Sequence, residues 1–179
     1  MPFDYKKEAS GRGKSDMKDV RIQSERLLLM PLTLEQRRLR RDKEPDEEMK
    51  QAYTEMIDAM LALPGREHWA ADWLICLRED GTPVGGIGFK GAPGANGDVE
   101  LGYGIDEPYR RRGYAAEAVG AMLTWALAQL GVERVLAQTE PNNEISQKVL
   151  AKNGFVRNGF GEEGPLFEVR KISADPELP

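Results

Sequence analysis

The stretch "EPYRRRGYAAEAV", residues 107–119, places three arginines directly ahead of a glycine and an alanine-rich helical pattern. The first turn of a helix leaves backbone N–H groups without partners, and the aligned peptide dipoles add positive potential there. Because Gly113 has no side chain, an anion can approach the backbone closely, and Ala115 keeps the next contact small. The arginines add charge suited to phosphate oxygens. The stretch predicts a phosphate cradle; a solvated basic turn ahead of an ordinary amphipathic helix is the alternative.

The composition indicates one globular domain with terminal tails. The chain has 179 residues, 40% of them hydrophobic and 31% charged, which is ordinary for a globular protein. Residues 1–19 are polar and lack apolar periodicity, so we expect a mobile N-terminal tail, a single domain at 20–172 and a C-terminal tail at 173–179. The N-terminus has no apolar signal core and no apolar run is long enough to span a bilayer, so we expect a cytoplasmic protein without a membrane partner.

Charge and side-chain chemistry narrow the function further. A net charge of −5 argues against a broad nucleic-acid surface, so no direct nucleic-acid partner is expected. The single cysteine, Cys76, excludes an internal disulfide and a cysteine-based metal cluster. The single histidine, His68, disfavours a histidine-based zinc site and a Ser-His-Asp triad. We therefore expect no metal.

Periodicity and turn residues predict a mixed α/β chain. Thr33 and Gln36 form a capping-box pattern at a helical region that Pro45 splits in two. Gly131 is placed to end the later, long helix. The predicted strands cover 26–32, 72–79, 81–91, 97–106, 134–140, 155–160 and 166–171, and the predicted helices cover 33–63, 113–130 and 143–153. Strands and helices in this order indicate a mixed sheet with helices on its faces.

Two separate motifs resemble the GNAT superfamily of N-acetyltransferases. Arg110-x-x-Gly113-x-Ala115 resembles the family's acetyl-CoA signature, Arg/Gln-x-x-Gly-x-Gly/Ala. Downstream, "EPNNEISQKVLAKNGF" at 140–155 resembles its second signature, and "IQSERLLLMPLT" at 22–33 resembles the opening of the ribosomal-protein N-terminal acetyltransferase branch. The resemblance covers about residues 22–172 with the elements in the family's order. It implies a GNAT fold: a mixed, mostly antiparallel sheet of six to seven strands, helices on both faces, and a splayed central strand pair.

The resemblance also implies a substrate and a set of binding residues. Acetyl-CoA is the expected co-substrate, and its acetyl group is expected to pass directly to an amine. In the family, the strand matching 97–106 holds pantetheine and the thioester by its backbone, and the loop after it binds the pyrophosphate. The residues this carries over are Tyr103, Gly104, Ile105, Arg110, Arg111, Arg112, Gly113, Tyr114, Ala115, Ala116 and Asn143. Asn143 is also a strong candidate for a helix N-cap, and both roles are compatible.

Transfer to an amine needs a base, because a lysine-like amine has a pKa of about 10.4 and an α-amine about 7.7–8.0. Glu100 is the candidate; many family members place a glutamate on this strand. Alternation puts Glu100 on the face opposite Val99 and Leu101. The alternative is a solvated glutamate paired with a lysine on a neighbouring strand. Many relatives have a tyrosine that protonates the leaving thiolate, but here Leu150 stands at that position, so Ser146, Tyr103 or water is expected to act instead, or Ser146 is purely structural.

The sequence also offers other interpretations of its function. Gly86-x-Gly88-x-x-Gly91 matches a dinucleotide-binding fingerprint, but a Pro/Gly turn and another strand follow it where a helix is required. The leading prediction is an N-acetyltransferase whose partner is an amine-bearing substrate, either a peptide N-terminus or a small molecule, in a chain that forms a homodimer. A non-catalytic acyl-CoA sensor or interaction module is the alternative from another class.

Overall fold

The computed structural model describes residues 20–172, and the tails predicted at 1–19 and 173–179 lie outside them. Eight strands form one sheet in the order β1-β2-β3-β4-β5-β6-β8-β7. The strands are β1 Ile22–Gln23, β2 Leu27–Pro31, β3 Asp72–Leu77, β4 Pro83–Phe89, β5 Asp98–Ile105, β6 Arg134–Gln138, β7 Val156–Phe160 and β8 Pro165–Arg170. The helices are α1 Leu34–Lys43, α2 Glu47–Leu61, α3 Tyr114–Leu127 and α4 Glu144–Lys152. Neighbouring strands run antiparallel except β5 and β6, which are parallel.

Local capping signals define the first two helices as the sequence predicts. The Gln36 backbone N–H donates to Thr33 Oγ1 at 3.2 Å, and the Thr33 N–H donates to Gln36 Oε1 at 2.9 Å, which completes the capping box. Pro45 lies in the break between α1 and α2. Asp46 caps α2 by accepting from the Met49 N–H at 2.9 Å. The capping box and the proline break are therefore both confirmed.

Alternation along β3 assigns the helices to opposite faces of the sheet. Trp73 is fully buried, and its ring centroid lies 5.3 Å from that of Trp125 on α3. Its neighbour Asp72 points to the other face, where it forms an ion pair with the buried Arg37 of α1. Arg37 also lies over the Tyr53 ring of α2 at 5.0 Å, so both N-terminal helices are fixed to this face. Helices on both faces are confirmed.

The core lies between the sheet and α3. Buried residues of α3 recur on one side of the helix and pack against the apolar face of the central strands; they are Ala118, Val119, Met122, Leu123 and Ala126. Burying each large aliphatic or aromatic side chain contributes about 1.5–3 kcal/mol. Cys76 belongs to the core, where burial raises the pKa of its thiol to about 11. It is therefore a packing residue and a poor nucleophile near neutral pH.

The sheet differs from the sequence prediction in its number of strands. It also decides the role of the glycines in β4. The sheet has eight strands rather than six or seven, because Ile22–Gln23 pairs with β2. A two-residue strand is too short to produce an alternation pattern in the sequence. Gly86 and Gly88 lie inside β4, and the chain after Gly91 turns directly into β5. The dinucleotide-binding interpretation fails, since that fingerprint opens a helix.

Residues 20–172 contain neither a membrane-spanning helix nor a cluster of metal-ligating side chains. None of their helices is both long and apolar enough to cross a bilayer. In the same residues, no group of three or more His, Cys, Asp or Glu side chains is arranged to hold a metal ion.

Candidate active site

The central feature of the site is the point where β5 and β6 part. Among the described residues, their pairing runs only from Asp98 opposite Arg134 to Glu100 opposite Leu136. Beyond Glu100, β5 continues beside β4 as far as Ile105. The backbone edge of β5 that carries Tyr103, Gly104 and Ile105 is thus left without a β6 partner. The splayed central pair expected from the sequence is present at this position.

Charged side chains join β5 and β6 at the end where the two strands are still paired. The Arg134 guanidinium donates to the two Asp98 oxygens at 2.8 and 2.5 Å and to Glu168 of β8 at 2.9 Å. Hydrogen bonds from Arg134 hold the pKa of Asp98 below its ordinary value. The arginine therefore ties β5, β6 and β8 together just before β5 and β6 separate.

A groove with a glycine floor runs over the face of β4 and β5 that α1 and α2 cover. It encloses about 850 Å³, a volume typical of small-molecule sites. Pairing aligns Gly88 with Gly102 and Gly86 with Gly104, so four positions of the floor carry no side chain. A Cβ added at Gly102 or Gly104 would meet nothing within 4 Å. These glycines provide open space above the sheet.

Glu100 lies on the same face as the glycine floor and makes two side-chain contacts. Its Oε1 accepts from the Gln138 amide at 2.9 Å and lies 2.5 Å from the Lys90 ammonium. The Glu100 side chain is 23% exposed, while Val99 and Leu101 are buried on the other face, as alternation predicts. The lysine pairing considered as an alternative is therefore present. It does not exclude a base, because the carboxylate stays partly accessible from the groove.

The Lys90 ammonium joins Glu100 to the hairpin between β7 and β8. Its Nζ lies 2.6 Å from Glu163 Oε1, and the Glu163 backbone N–H donates to Gln138 Oε1 at 3.1 Å. Lys90, Glu100, Gln138 and Glu163 thus form one polar cluster, here called the Lys90 cluster. Because the cluster spans β4, β5, β6 and the hairpin, local sequence patterns could not predict it.

Tyr103 and Ser146 meet on the opposite face, where α4 begins. The Tyr103 hydroxyl lies 2.7 Å from Ser146 Oγ and donates to the Ser146 carbonyl at 3.2 Å. Burial raises the pKa of Tyr103, and the bond to Ser146 offsets this only partly, so the phenol keeps its proton near neutral pH. Asn143 caps α4 by accepting from the Ser146 N–H at 3.0 Å. The structure brings together both residues suggested as substitutes for the missing tyrosine acid.

The start of α3 has the backbone geometry that a phosphate cradle requires. Gly113 is the N-cap residue with φ of +81°, in the left-handed region that glycine adopts without strain. Arg111 is also left-handed, with φ of +62°, and is the one non-glycine residue of positive φ in the described chain. Such a conformation costs about 1–3 kcal/mol and concentrates at functional loops. Tyr114, Ala115 and Ala116 form the first helical turn, whose amides have no intrahelical acceptors.

The three arginines of the loop do not point the same way. Arg110 Nε donates to the Ile105 carbonyl at 2.9 Å, and its side chain lines the groove. Arg112 Nη2 donates to the Pro108 carbonyl at 3.2 Å. The predicted arginine cluster is therefore divided, because Arg110 lies in the groove while Arg112 bonds back to its own loop.

A fourth arginine at the cradle was missed by the sequence analysis. Arg26 Nη1 donates to the Arg112 carbonyl at 3.0 Å, and its guanidinium lies 4.8 Å above the Tyr114 ring. Its Nε and backbone N–H each donate to Glu117 of α3 at 2.7 Å. Ser24 Oγ donates to the same carboxylate at 2.7 Å. The "RL" of "SERLLL" carries no local signal for this contact, since Arg26 and Glu117 are 91 residues apart.

Fold and site together define the class of this protein. The family model described as "Acetyltransferase (GNAT) domain" matches residues 26–156. This chain belongs to the GNAT acetyltransferase family. The match contains the splayed strands, the cradle and the start of α4.

Individual relatives and solved structures agree with this assignment. The uncharacterized N-acetyltransferase YjdG of Bacillus subtilis strain 168 is 41% identical over 86 residues, which cover 48% of this chain and 51% of the relative. The chain spans between half and two thirds of the length of the curated relatives it matches. A RimL ribosomal L7/L12 α-N-protein acetyltransferase in complex with coenzyme A superimposes with a TM-score of 0.66 at 16% identity, covering 87% of this chain and 100% of that one. The ribosomal-protein-S5-alanine acetyltransferase of Vibrio fischeri gives 0.64 at 19% identity, covering 88% and 100%. At these identities the two structures show the fold alone.

Proposed function

We propose that this protein is an acetyl-CoA-dependent N-acetyltransferase that moves an acetyl group to a primary amine, with Glu100 as general base. The observation that carries the proposal is the parting of β5 from β6 directly after Glu100, beside the open amides of the α3 N-terminus. Along the chain, the base candidate Glu100, the free edge of β5 and the N-terminus of α3 follow one another in that order. An extended, anionic co-substrate such as acetyl-CoA fits this path.

Each part of the path has a distinct proposed task. The amides of residues 111–116 and the flanking arginines hold the pyrophosphate, since donors at a helix start favour an anion. The free edge of β5 at Tyr103, Gly104 and Ile105 aligns the thioester arm. Asn143, which caps α4 beside the slot, is proposed to contact the co-substrate as well.

Two proton transfers are assigned to residues on opposite faces of β5. Glu100 removes the proton from the acceptor ammonium, and the acceptor enters through the glycine-floored groove. The Tyr103–Ser146 pair is proposed to return a proton to the departing CoA thiolate, which the 2.7 Å contact and the protonated phenol support. A CoA thiol is itself a fair leaving group, so this second transfer contributes less than the first.

The acceptor is a primary amine on a peptide N-terminus or a small molecule. The RimL protein named above is an α-N-protein acetyltransferase of ribosomal L7/L12, which supports the first type by analogy of fold. The volume of the groove supports the second. A homodimer stays a prediction from the sequence.

The test is CoA release from acetyl-CoA with a panel of peptides and small amines. Glu100→Gln should lower kcat by about 100-fold or more, the usual contribution of a general base, and leave the Kd for CoA unchanged. The matched control is Glu55→Gln, because Glu55 also accepts from a glutamine amide, at 3.0 Å, but lies on the surface of α2. It should keep full turnover.

Each alternative result has a definite meaning. Full turnover in Glu100→Gln would reject Glu100 as base and leave acetyl transfer standing. Tight CoA binding with no turnover on any amine would favour the acyl-CoA sensor. Failure of CoA to bind would reject both assignments.

A further inference from the structure

The Lys90 cluster already contains a primary amine in contact with the proposed base. Lys90 Nζ lies 2.5 Å from Glu100 Oε1 and 2.6 Å from Glu163 Oε1. The contact reproduces the amine–carboxylate geometry that the proposed reaction needs from an external acceptor.

The backbone tethers this amine beside the opening between β5 and β6. The Lys90 N–H donates to the Glu100 carbonyl at 3.0 Å, which fixes the two residues opposite each other where the β5–β6 pairing ends. A tethered nucleophile reacts at a much higher effective concentration than a free one. Lys90 therefore competes with any external amine for the same base.

The Lys90 side chain is also accessible. It is 50% exposed and lines the glycine-floored groove. Ion pairs between side chains this exposed are weak, so the ammonium can leave Glu163 at little cost. Burial alone would lower the pKa of Lys90, but the hydrogen bonds and charges of Glu100 and Glu163 raise it above its usual value. Reaction at this amine is therefore slow compared with an acceptor of ordinary basicity.

We propose that Lys90 is an acetylation site of this protein, modified by the protein's own active site when no external acceptor is present. The proposal rests on the proposed function. Glu100 takes one proton from the Lys90 ammonium, and the neutral Nζ attacks the thioester carbonyl carbon of acetyl-CoA. The new C–N bond forms as the C–S bond breaks, the second Nζ proton is lost to solvent, and CoA leaves as the thiol after taking up a proton.

Acetylation changes the electrostatics of the groove. An acetylated Lys90 carries no charge, so Glu100 and Glu163 lose the cation that joins them, and the β7–β8 hairpin loses its tie to β4. The modified side chain also remains inside the groove. Turnover of external acceptors should fall in proportion to the modified fraction.

The experiment is incubation of the full chain with acetyl-CoA and no acceptor, followed by intact-mass and peptide mass spectrometry. Wild type should gain the mass of one acetyl group on the peptide containing Lys90, and Lys90→Arg should gain none. Lys148 is the matched control for non-enzymatic acetylation, because it also faces a carboxylate, Glu144 at 3.5 Å, but is 78% exposed on α4. Modification at Lys148 equal to that at Lys90 would overturn the proposal.

The two carboxylates separate catalysis from simple ion pairing. Glu163→Gln removes a charge that stabilises the ammonium, so Lys90 acetylation should become faster. Glu100→Gln removes the base, so it should become slower by about 100-fold. Acceleration in both variants would show that Glu100 only stabilises the ammonium.

A parallel assay of CoA release with external amines distinguishes failure of the Lys90 proposal from failure of the proposed acetyltransferase function. Turnover of an external amine together with an unmodified Lys90 would overturn the internal site alone. Absence of CoA binding, with no modification, would overturn the internal site together with the function on which it depends.

Discussion

Gly113, the N-cap of α3, and Gly131, which lies four residues beyond the last helical residue Leu127, adopt the same left-handed backbone, with φ of +81° and +79°. Their surroundings differ. A Cβ at Gly113 would lie 3.3 Å from Arg26 Nη2, within the cradle, whereas a Cβ at Gly131 would meet nothing within 4 Å. The pair therefore separates the cost of a strained backbone from the cost of filling an anion site.

We predict that Gly113→Asp weakens CoA binding and that Gly131→Asp, which has the same backbone strain, does not. Each places a side chain in the left-handed region, at about 1 kcal/mol. Only the first places a carboxylate where the pyrophosphate is proposed to bind, and the repulsion should raise the Kd for CoA by at least about tenfold. Urea unfolding and isothermal titration with CoA measure the two effects. An unchanged Kd in Gly113→Asp would reject the cradle.

At the scale of elements, the contact between Arg26 and Glu117 joins the turn between β1 and β2 to the first turns of α3. Glu117 is a carboxylate one turn inside the helix, and its side chain is 16% exposed. Arg26 neutralises it, so the helix start keeps a positive potential for an external anion. Burial would raise the pKa of Glu117, but hydrogen bonds from Arg26 and Ser24 outweigh it and place the pKa below the ordinary value.

This depressed pKa predicts a pH-dependent contribution to stability. The ionised form of Glu117 stabilises the fold, so its contribution is complete above the unfolded-state pKa near 4.5 and is lost as the pH falls through the lower folded-state pKa. The difference in unfolding free energy between wild type and Glu117→Gln should therefore be constant at neutral pH and shrink in acid. Chemical unfolding across the pH range measures it.

The partner variant tests whether the same contact supports CoA binding. Arg26→Ala should raise the Kd for CoA, since it leaves the Glu117 charge uncompensated near the cradle. Arg26→Ala combined with Glu117→Gln should recover part of the affinity, because both charges are then absent. An equal loss in the single and double variants would assign Arg26 a direct contact with CoA.

Features that depend on residues close together in the sequence could be predicted, and contacts between distant residues could not. The capping box at Thr33, the break at Pro45 and the alternation around Glu100 are local, and the sequence alone predicted each of them. The Arg26–Glu117 contact and the Lys90 cluster depend on residues far apart in the chain, so no window of sequence reveals them. Glu100 shows the limit most directly: alternation predicted its face, but its partners came from β4 and β6.

At the scale of the whole molecule, the sheet consists of two parts with a narrow junction. The part from β1 to β5 and the part formed by β6, β8 and β7 are joined through the short parallel pairing that ends at Glu100. A ligand in the opening would contact both parts. Binding at this position should stabilise the folded molecule as a whole, since it adds interactions between the two parts of the sheet.

We predict that CoA raises the melting temperature and that NAD does not. At a concentration 100-fold above its Kd, a ligand specific for the folded state contributes about 2.7 kcal/mol. Protection from hydrogen exchange should increase at residues 101–105 and 111–116, where backbone amides border the opening. Thermal shift and exchange mass spectrometry check this; stabilisation by NAD in place of CoA would contradict the assignment of the opening to CoA.

The glycine floor allows the width of the groove to be changed by single substitutions. Gly102 and Gly104 have open space above them, so a methyl or larger group added at either position narrows the passage without disturbing the sheet. Larger side chains at these positions would narrow the groove stepwise and so limit the size of the acceptor. The backbone edge of β5 that is proposed to hold the thioester would not change. Diversification of acceptors among descendants of such a chain would need point substitutions only, with no new loops.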